Sequence, residues 1–253
     1  MKFFDAIILG IVEGVTEFLP ISSTGHLILA STLLGLNENE FVKTFEIAIQ
    51  LGAILSVVVL YASSLLKNRD KFQKVIVAFI PTGIIGLIVY KIIKKYLLGN
   101  PLIVIASLFV GGIIIILFEL TQKKTNEGSS EISYPQAALI GLCQAVSMIP
   151  GVSRAAATIL GGMSVGINRK TIVEFSFLLA IPTMCAATGL DLLKTGLHFT
   201  SNEVQLLATG FIVSFLVALV CVKWLLRYIQ NHTFISFGIY RIAVAVIFWF
   251  ILR

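Results

Sequence analysis

Charged residues are scarce in this chain. Asp, Glu, Lys and Arg make up 13% of its 253 residues, whereas hydrophobic residues make up 57%, and the mean hydropathy is +0.98. Several apolar runs of about twenty residues each match the hydrocarbon thickness of a bilayer. The composition therefore excludes a soluble globular protein and predicts an all-α polytopic membrane protein.

Cysteine and acidic residues are also few, and both scarcities narrow the possible functions. Cys143, Cys185 and Cys221 all lie in apolar segments without Cys-x-x-Cys or Cys/His spacing, so we expect neither a disulfide nor a cysteine metal site. The 19 Lys and Arg outnumber the 13 Asp and Glu. These basic residues form short clusters between apolar runs, where orientation signals belong, so we expect no nucleic-acid partner.

Polar residues are concentrated near the start of the chain, in the segment EGVTEFLPISSTGHL at 13–27. Ionisable groups at bilayer depth are costly, and such groups are read as functional by default. Glu13 and Glu17 are four residues apart, so on a helix they share one face and can bind one cation or one substrate. This segment is the first candidate site.

The same segment contains a helix breaker followed by helix starters. Pro20 ends a helix because it lacks an N–H group and clashes with the preceding turn. Ser22, Ser23 and Thr24 are residue types that cap helix N-termini, and a helix restarting there has His26 in its first turn. The pattern predicts a helix, a break and a second helix.

The hydropathy pattern divides the chain into two similar halves. A first repeat at 1–120 is predicted to hold a re-entrant helical hairpin at about 4–35, a polar turn at 37–40, and spans at about 41–62, 75–92 and 101–120. A polar linker follows at 121–133. A second repeat at 134–253 is predicted to hold a hairpin at about 135–167 and spans at about 171–193, 203–226 and 236–252.

An offset of 130 residues pairs Pro20 with Pro150 and Ser23 with Ser153. If each hairpin returns to the side from which it entered, each half crosses the membrane three times, and an odd count inverts the second half. Inverted repeats whose broken helices meet near the midplane build binding sites in membranes. We therefore predict an inverted-topology repeat.

Basic residues are more frequent on one predicted side of the membrane. That side carries the loop at 63–74, the central linker and the turns at 166–170 and 227–235. Positive charge is enriched in cytoplasmic loops. We therefore expect this side to be cytoplasmic and both termini to lie outside.

A second polar cluster, PGVSRAAAT at 150–158, follows the break in the second hairpin. Gly151 permits close approach of the backbone, Ser153 can cap a new helix, and Arg154 and Thr158 then lie one turn apart. Free N–H groups, the helix dipole and a guanidinium together describe an anion site, most naturally for phosphate.

The two clusters, followed by EFSFLLAIP at 174–182, closely resemble the undecaprenyl-diphosphate phosphatase family of bacteria, the BacA/UppP type known from bacitracin resistance. The match extends in order over nearly the whole chain. The resemblance implies hydrolysis of undecaprenyl diphosphate to the monophosphate lipid that carries cell-wall precursors. It also implies a divalent cation, Mg²⁺ or Ca²⁺, and an active site at the outer face of the cytoplasmic membrane.

The family's functional residues fall on matching positions here. Its acidic pair falls on Glu13 and Glu17, the expected metal ligands, and its catalytic set on Glu17, Ser23, His26 and Arg154. The residues expected to bind the diphosphate are Ser22, Thr24, Gly151, Ser153, Arg154 and Thr158. One position departs from the pattern, because Ala155 replaces the serine that usually follows the arginine, which removes one hydroxyl contact to phosphate.

Several alternatives stay open at this point. The nucleophile is Ser23, His26 or a water activated by Glu17. Glu46, Gln50 and Glu174 are either supporting groups of the site or helix-packing residues. A transporter or flippase fits the same repeat, whereas a type 2 phosphatidic acid phosphatase needs a second histidine soon after the arginine, which this chain lacks. The oligomeric state, a homodimer included, is undetermined.

Overall fold

The computed structural model describes residues 1–36, 39–97, 100–122, 128–192 and 199–252. Within these ranges the chain forms ten α-helices, one short 3-10 helix and no strand. The helices are α1 Phe3–Thr16, α2 Ser23–Leu33, α3 Glu40–Lys67, α4 Arg69–Tyr96, α5 Pro101–Thr121, α6 Tyr134–Ala145, α7 Arg154–Ser164, α8 Arg169–Leu192, α9 Ser201–Tyr228 and α10 Ile235–Ile251. Some predicted segments lie partly outside the described residues: the turn at 37–40, the linker at 121–133, the span at 171–193 and the last residue of the second repeat.

Five helices, α3, α4, α5, α8 and α9, are long and apolar enough to cross a membrane. They confirm the predicted all-α polytopic architecture and coincide with five of the six predicted spans. The sixth predicted span is α10, an apolar helix of 17 residues, which is about 26 Å long at 1.5 Å per residue. Its crossing of the membrane stays a prediction.

Each half begins with a pair of short helices separated by a break, as predicted. In the first half α1 ends at Thr16 and α2 begins at Ser23. In the second half α6 ends at Ala145, a 3-10 helix covers Val146–Met148, and α7 begins at Arg154. We call the segments 17–22 and 149–153 the first and second break.

The prediction of a loop at 63–74 was wrong. Helix α3 continues to Lys67 and α4 begins at Arg69, so Asn68 alone separates them. Asn68 ends one helix and caps the next, since its side-chain oxygen accepts the N–H of Lys71 at 2.9 Å. Polar composition marked where the chain leaves the apolar layer, but a helix satisfies its own backbone and does not have to end there.

The two hairpins pack against the opposite halves of the chain. Helix α1 packs against α9, and α6 packs against α4, which holds the same place in the first half as α9 holds in the second. Glycines allow both contacts: an added Cβ would lie 2.9 Å from the Gly210 oxygen at Gly10, and 1.9 Å from the Ala78 oxygen at Gly141. The packing of each hairpin on a helix of the other half agrees with the predicted repeat. The inverted orientation of that repeat stays a prediction.

The helix caps also correct the register of the repeat. Ser22 caps α2 and Ser153 caps α7, so these two serines are equivalent at an offset of 131. The offset of 130 paired Ser153 with Ser23 instead. The offset of 130 aligns the prolines, but Pro20 lies two residues before its cap Ser22, whereas Pro150 lies three residues before its cap Ser153.

Contacts between connecting segments place four of them on one side of the molecule, as the charge distribution suggested. The contacts are Ser129 N to the Gly166 oxygen at 2.9 Å, Arg169 Nη1 to the His232 oxygen at 3.1 Å, and the Tyr134 hydroxyl to Asp70 Oδ1 at 3.0 Å. They join the end of the linker, the α7–α8 and α9–α10 turns and the start of α4. The grouping is confirmed, and its assignment to the cytoplasm stays a prediction.

Candidate active site

The first break brings polar groups into the interior of the molecule. Ser22 has a φ of +73°, a left-handed conformation that is uncommon for residues other than glycine. Its hydroxyl oxygen accepts the N–H of Gly25 at 3.4 Å and so caps α2. Strained residues of this kind persist where the surrounding structure holds them, and they are concentrated at functional sites.

The second break contacts the first directly. Gly151 turns the chain with a φ of +87°, a conformation that glycine adopts without steric cost. Ser153 then caps α7 by accepting the N–H of Ala156 at 3.2 Å, and its hydroxyl lies 3.3 Å from the main-chain oxygen of Leu19 in the first break. The N-termini of α2 and α7 therefore lie close together.

Glu17 connects the two breaks. One carboxylate oxygen accepts a hydrogen bond from Ser23 Oγ at 2.6 Å, and the other is 3.1 Å from Arg154 Nη2. Both charged side chains are nearly buried, with exposed fractions of 4% for Glu17 and 9% for Arg154. The structure thus brings together three of the four predicted catalytic residues, although 137 positions separate Glu17 from Arg154.

Neighbouring groups fix the guanidinium of Arg154. Its Nη1 donates to the main-chain oxygen of Ser176 in α8 at 2.9 Å, and its Cζ lies over the ring of Phe18, 5.9 Å from the centroid. Phe18 itself packs edge-on against Phe177, with centroids 5.3 Å apart. The apolar core of α8 therefore supports both members of the Glu17–Arg154 pair.

A polar cavity of about 130 Å³ lies between the two breaks, which is the volume of about four water molecules. Its lining includes Glu17, Ser22, Ser23, Thr24, Ser153 and Arg154 from the predicted set. Because both N-cap serines line it, two helix N-termini face one space. Free N–H groups and the positive ends of two helix dipoles favour an anion there.

His26 lies beside this cavity and does not line it. Its Nδ1 is 2.8 Å from the Ser22 main-chain oxygen, and its Nε2 is 2.9 Å from the Tyr240 hydroxyl. A carbonyl oxygen only accepts hydrogen bonds, so Nδ1 carries a proton. In the neutral ring Nε2 therefore accepts the Tyr240 hydroxyl, and α10 thus orients the histidine.

Glu13 is completely buried, and neither of its carboxylate oxygens accepts a hydrogen bond from a described group. Burial of an ionised carboxylate without a partner is costly, and a cation beside it would offset that cost. Glu17 follows one turn later on the same helix face, and Mg²⁺ commonly binds one or two carboxylates together with substrate phosphates. No group of three or more His, Cys, Asp or Glu side chains converges among the described residues. Glu13 and Glu17 therefore fit a cation whose remaining ligands come from a bound phosphate.

Two of the residues expected to bind diphosphate lie outside the cavity lining. The main-chain oxygen of Gly151 accepts a hydrogen bond from Arg241 at 3.0 Å. The hydroxyl of Thr158 is buried and lies 2.6 Å from Ser176 Oγ and 3.0 Å from the Arg154 main-chain oxygen. In this structure Thr158 supports the first turn of α7, and Gly151 is held by Arg241.

Three further polar residues line the cavity. Gln50 was among the polar residues considered from sequence, but Ser147 and Thr183 were missed. In the register of 131 that the helix caps give, Ser147 pairs with Thr16, so the repeat does not mark it, whereas Thr183 directly follows the EFSFLLAIP segment. The position of Thr183 beside that segment was a signal in the sequence.

The fold and the site define a class of protein: an integral membrane protein with a buried polar cavity between two broken helical hairpins. The family model described as bacitracin resistance protein BacA matches residues 6–247. The chain belongs to this family.

Curated relatives are similar over almost their whole length. The chain is 51% identical to the undecaprenyl-diphosphatase of Aquifex aeolicus (strain VF5) over 250 residues, which cover 98% of each chain. It is 50% identical over 252 residues to the undecaprenyl-diphosphatase of Sulfurihydrogenibium sp. (strain YO3AOP1), covering 98% of this chain and 99% of the relative. It is also 49% identical over 251 residues to that of Persephonella marina, with 98% of each chain covered.

Proposed function

We propose that this protein is an integral membrane phosphatase that hydrolyses undecaprenyl diphosphate to undecaprenyl phosphate and inorganic phosphate, and so recycles the lipid carrier for cell-wall synthesis. The observation that carries the proposal is the position of Glu17 between Ser23 and Arg154, at 2.6 and 3.1 Å, beside a cavity faced by two helix N-termini. The named activity of the relatives supports it.

Ser23 is the nucleophile in this proposal, and Glu17 is its base. The hydrogen bond from Ser23 Oγ to Glu17 has the length that proton transfer to a general base requires. The Ser23 proton passes to Glu17 as Oγ bonds to the terminal phosphorus, and the bond from that phosphorus to the bridging oxygen breaks. Undecaprenyl phosphate leaves, and water then hydrolyses the phosphoserine to release phosphate.

Arg154 and the helix N-termini balance the charge of the diphosphate. Phosphoryl transfer demands mainly positioning and charge stabilisation, and a guanidinium can hold two phosphate oxygens at once. Ser22, Thr24 and Ser153 line the same cavity and add hydroxyl groups. A divalent cation, Mg²⁺ or Ca²⁺, held by Glu13 and Glu17 would offset further negative charge on the phosphates when bound.

An apolar cavity of about 600 Å³ supports a polyprenyl chain as the rest of the substrate. It lies between α5, α6 and α7 and shares Val152 with the polar cavity. Drug-sized ligands occupy cavities of about 300–1,000 Å³ with mostly apolar walls. In the proposal the diphosphate occupies the polar cavity and the first isoprene units occupy the apolar one.

We also propose that the protein lies in the bacterial cytoplasmic membrane with its active site facing the outer leaflet. The basic connections that share one side support this orientation, because positive charge is enriched on the cytoplasmic side. Cysteine labelling from outside intact cells tests it: Thr200→Cys, before α9, should react, and His232→Cys, in the α9–α10 turn, should not.

Phosphate release from undecaprenyl diphosphate by the purified protein in detergent tests the function. The wild type should release phosphate, and Glu17→Gln should lose about 100-fold or more, since a general base contributes roughly 10²–10⁴-fold. Glu203→Gln is the matched control, because Glu203 lies at the start of α9 and bonds Thr200. Lipid binding without hydrolysis by the wild type would contradict the proposal and favour a transporter or flippase.

A further inference from the structure

Arg241, in the middle of α10, is buried with an exposed fraction of 1%. Its guanidinium donates four hydrogen bonds to main-chain carbonyls. The acceptors are the oxygens of Pro20 at 3.2 Å, Gly151 at 3.0 Å, Ser107 at 3.0 Å and Leu108 at 3.3 Å. One side chain therefore joins α10 to three other segments.

The identity of the acceptors is informative. Pro20 lies in the first break and Gly151 in the second, where helical hydrogen bonding is interrupted. Main-chain carbonyls at membrane depth are costly unless a donor satisfies them. Arg241 satisfies one carbonyl of each break, and its other two bonds anchor both breaks to α5.

The two breaks carry the two halves of the candidate site. Pro20 is three residues from both Glu17 and Ser23, and Gly151 is three residues before Arg154. A displacement of either break therefore changes the 3.1 Å contact between Glu17 and Arg154. Between the described groups of the two breaks, the only direct hydrogen bond is the 3.3 Å contact from Ser153 Oγ to the main-chain oxygen of Leu19.

We propose that Arg241 is a positioning residue for the phosphatase reaction: it clamps the two breaks together and so sets Glu17 and Arg154 at the spacing that phosphoryl transfer requires. The inference rests on the proposed function for its kinetic meaning. Tyr240, the neighbouring residue, bonds His26 Nε2, so α10 holds the first hairpin at two points.

The chemistry of this position requires arginine. A guanidinium presents five N–H donors in a planar fork, whereas an ammonium presents three from a single atom. The facing helix leaves room for the fork at Gly111, where an added Cβ would lie 2.3 Å from Arg241 Nη2. Arg241→Lys therefore keeps the charge but loses the simultaneous contact with both breaks.

A double-mutant cycle separates positioning from general stability. Arg241→Gln should lower kcat by roughly tenfold or more with less than a threefold change in KM. In an Arg154→Lys background the same change should lower kcat by threefold or less, because the alignment of Glu17 with the Arg154 guanidinium is already lost. Arg241→Lys should restore little of the kcat.

Arg169→Gln is the matched control for this cycle. Arg169 is a partly buried arginine whose guanidinium contacts both oxygens of Glu119, and it lies away from the breaks. Its loss should lower the melting temperature and reduce kcat by the same factor in both backgrounds. If Arg241→Gln reduces kcat by the same factor in the wild-type and Arg154→Lys backgrounds, the proposal is overturned.

Gly111→Ala gives a second test that keeps Arg241 itself. The new methyl group should push the guanidinium away and lower kcat as Arg241→Gln does. Gly83→Ala is its control, since the nearest atom to an added Cβ there is 3.6 Å away. Wild-type kcat in Gly111→Ala would also count against the clamp.

A cross-linking assay measures the clamp without any reaction. Thr24→Cys and Val152→Cys line the same cavity, and a short bifunctional thiol reagent should join them in a background without Cys143, Cys185 and Cys221. The yield should fall with Arg241→Gln or Gly111→Ala and stay constant with the two controls. If the wild type does not hydrolyse the lipid but this pattern holds, the proposed function fails and the clamp stands; an unchanged yield overturns the clamp.

Discussion

A single carboxylate organises the candidate site at the scale of residues. Glu17 accepts from Ser23 with one oxygen and pairs with Arg154 through the other. The two contacts hold the Glu17 carboxylate at a fixed orientation beside the serine hydroxyl, which positions it to take the serine proton. Binding of a diphosphate gives Arg154 a second anionic partner, so the pair can loosen as the serine attacks.

Trapping of a phosphoenzyme tests the identity of the nucleophile. Rapid quenching of the wild type with labelled undecaprenyl diphosphate should yield an acid-stable, alkali-labile adduct, as expected for phosphoserine, because Ser23 lines the cavity whereas His26 Nε2 is bonded to Tyr240. Ser23→Ala should abolish the adduct. His26→Ala should keep it.

Other outcomes of that experiment identify the other candidates. An acid-labile, alkali-stable adduct that disappears in His26→Ala would identify the histidine. Turnover in Ser23→Ala at more than about one tenth of the wild-type rate, with no adduct in either protein, would indicate direct attack by water.

Much of the candidate site follows from one rule about residues. Carboxylates and arginine in apolar sequence are costly at bilayer depth, and this singled out Glu13, Glu17 and Arg154. The same rule applies to Arg241, which lies within the predicted span at 236–252 and was not among the predicted site residues. Tyr240 carried no such signal, since its contact with His26 spans 214 positions and depends on the packing of α10.

Broken helices provide the site at the scale of elements. A break exposes free N–H groups that an unbroken helix would keep internal, and two breaks in contact concentrate them around one cavity. The breaks were predictable because proline and N-cap residues mark them locally. Their contact partners were not, since α1 and α6 each pack on a helix of the other half.

Because α6 and α4 are in close contact at Gly141, we expect the stability of the protein to be sensitive to substitution of this glycine. A Cβ there would lie 1.9 Å from the Ala78 oxygen, so Gly141→Ala must separate the helices, and overpacking of this kind costs roughly 1–3 kcal/mol. The melting temperature in detergent should fall by several degrees.

Gly83→Ala in α4 is the reference for that measurement. Its added Cβ would meet nothing within 3.6 Å, and alanine stabilises a helix by about 1 kcal/mol relative to glycine. Its melting temperature should stay constant or rise. A fall of equal size in both variants would show that the close packing at Gly141 is unimportant.

The whole molecule joins its two halves through their functional hairpins. Each half supplies one break, and the Glu17–Arg154 contact exists only when both are folded together. The order of helix types was predictable from hydropathy, whereas the helix ends near Asn68 were not, because polar residues extend helices beyond the apolar layer. The predicted inverted orientation of the halves would let both breaks meet inside the membrane.

Metal dependence should reveal the role of the unpaired Glu13. Glu13→Gln should raise the Mg²⁺ concentration for half-maximal activity by about tenfold or more, since cation affinity follows the charge of the ligands, and lower the saturated rate less. Binding of Mn²⁺, followed by its paramagnetic resonance signal, should weaken in parallel. Glu203→Gln should change neither quantity, and an unchanged metal requirement in Glu13→Gln would remove Glu13 from the ligand set.

The apolar cavity predicts a selectivity for chain length. Ala106 lines it from α5, so Ala106→Phe should exclude part of the prenyl chain. Loss of about two buried methylene contacts costs roughly 1.6 kcal/mol, which corresponds to about a tenfold rise in KM for undecaprenyl diphosphate. KM for the much shorter farnesyl diphosphate should change less, because less of its chain extends beyond the diphosphate site.

Leu117→Phe is the control for that selectivity, since Leu117 is an exposed residue of the same helix outside the cavity lining. It should leave KM for both lipids unchanged. Equal rises for the long and short substrates in Ala106→Phe would mean that the variant disturbs the diphosphate site. No rise for either would mean that the polyprenyl chain leaves the polar cavity by another path.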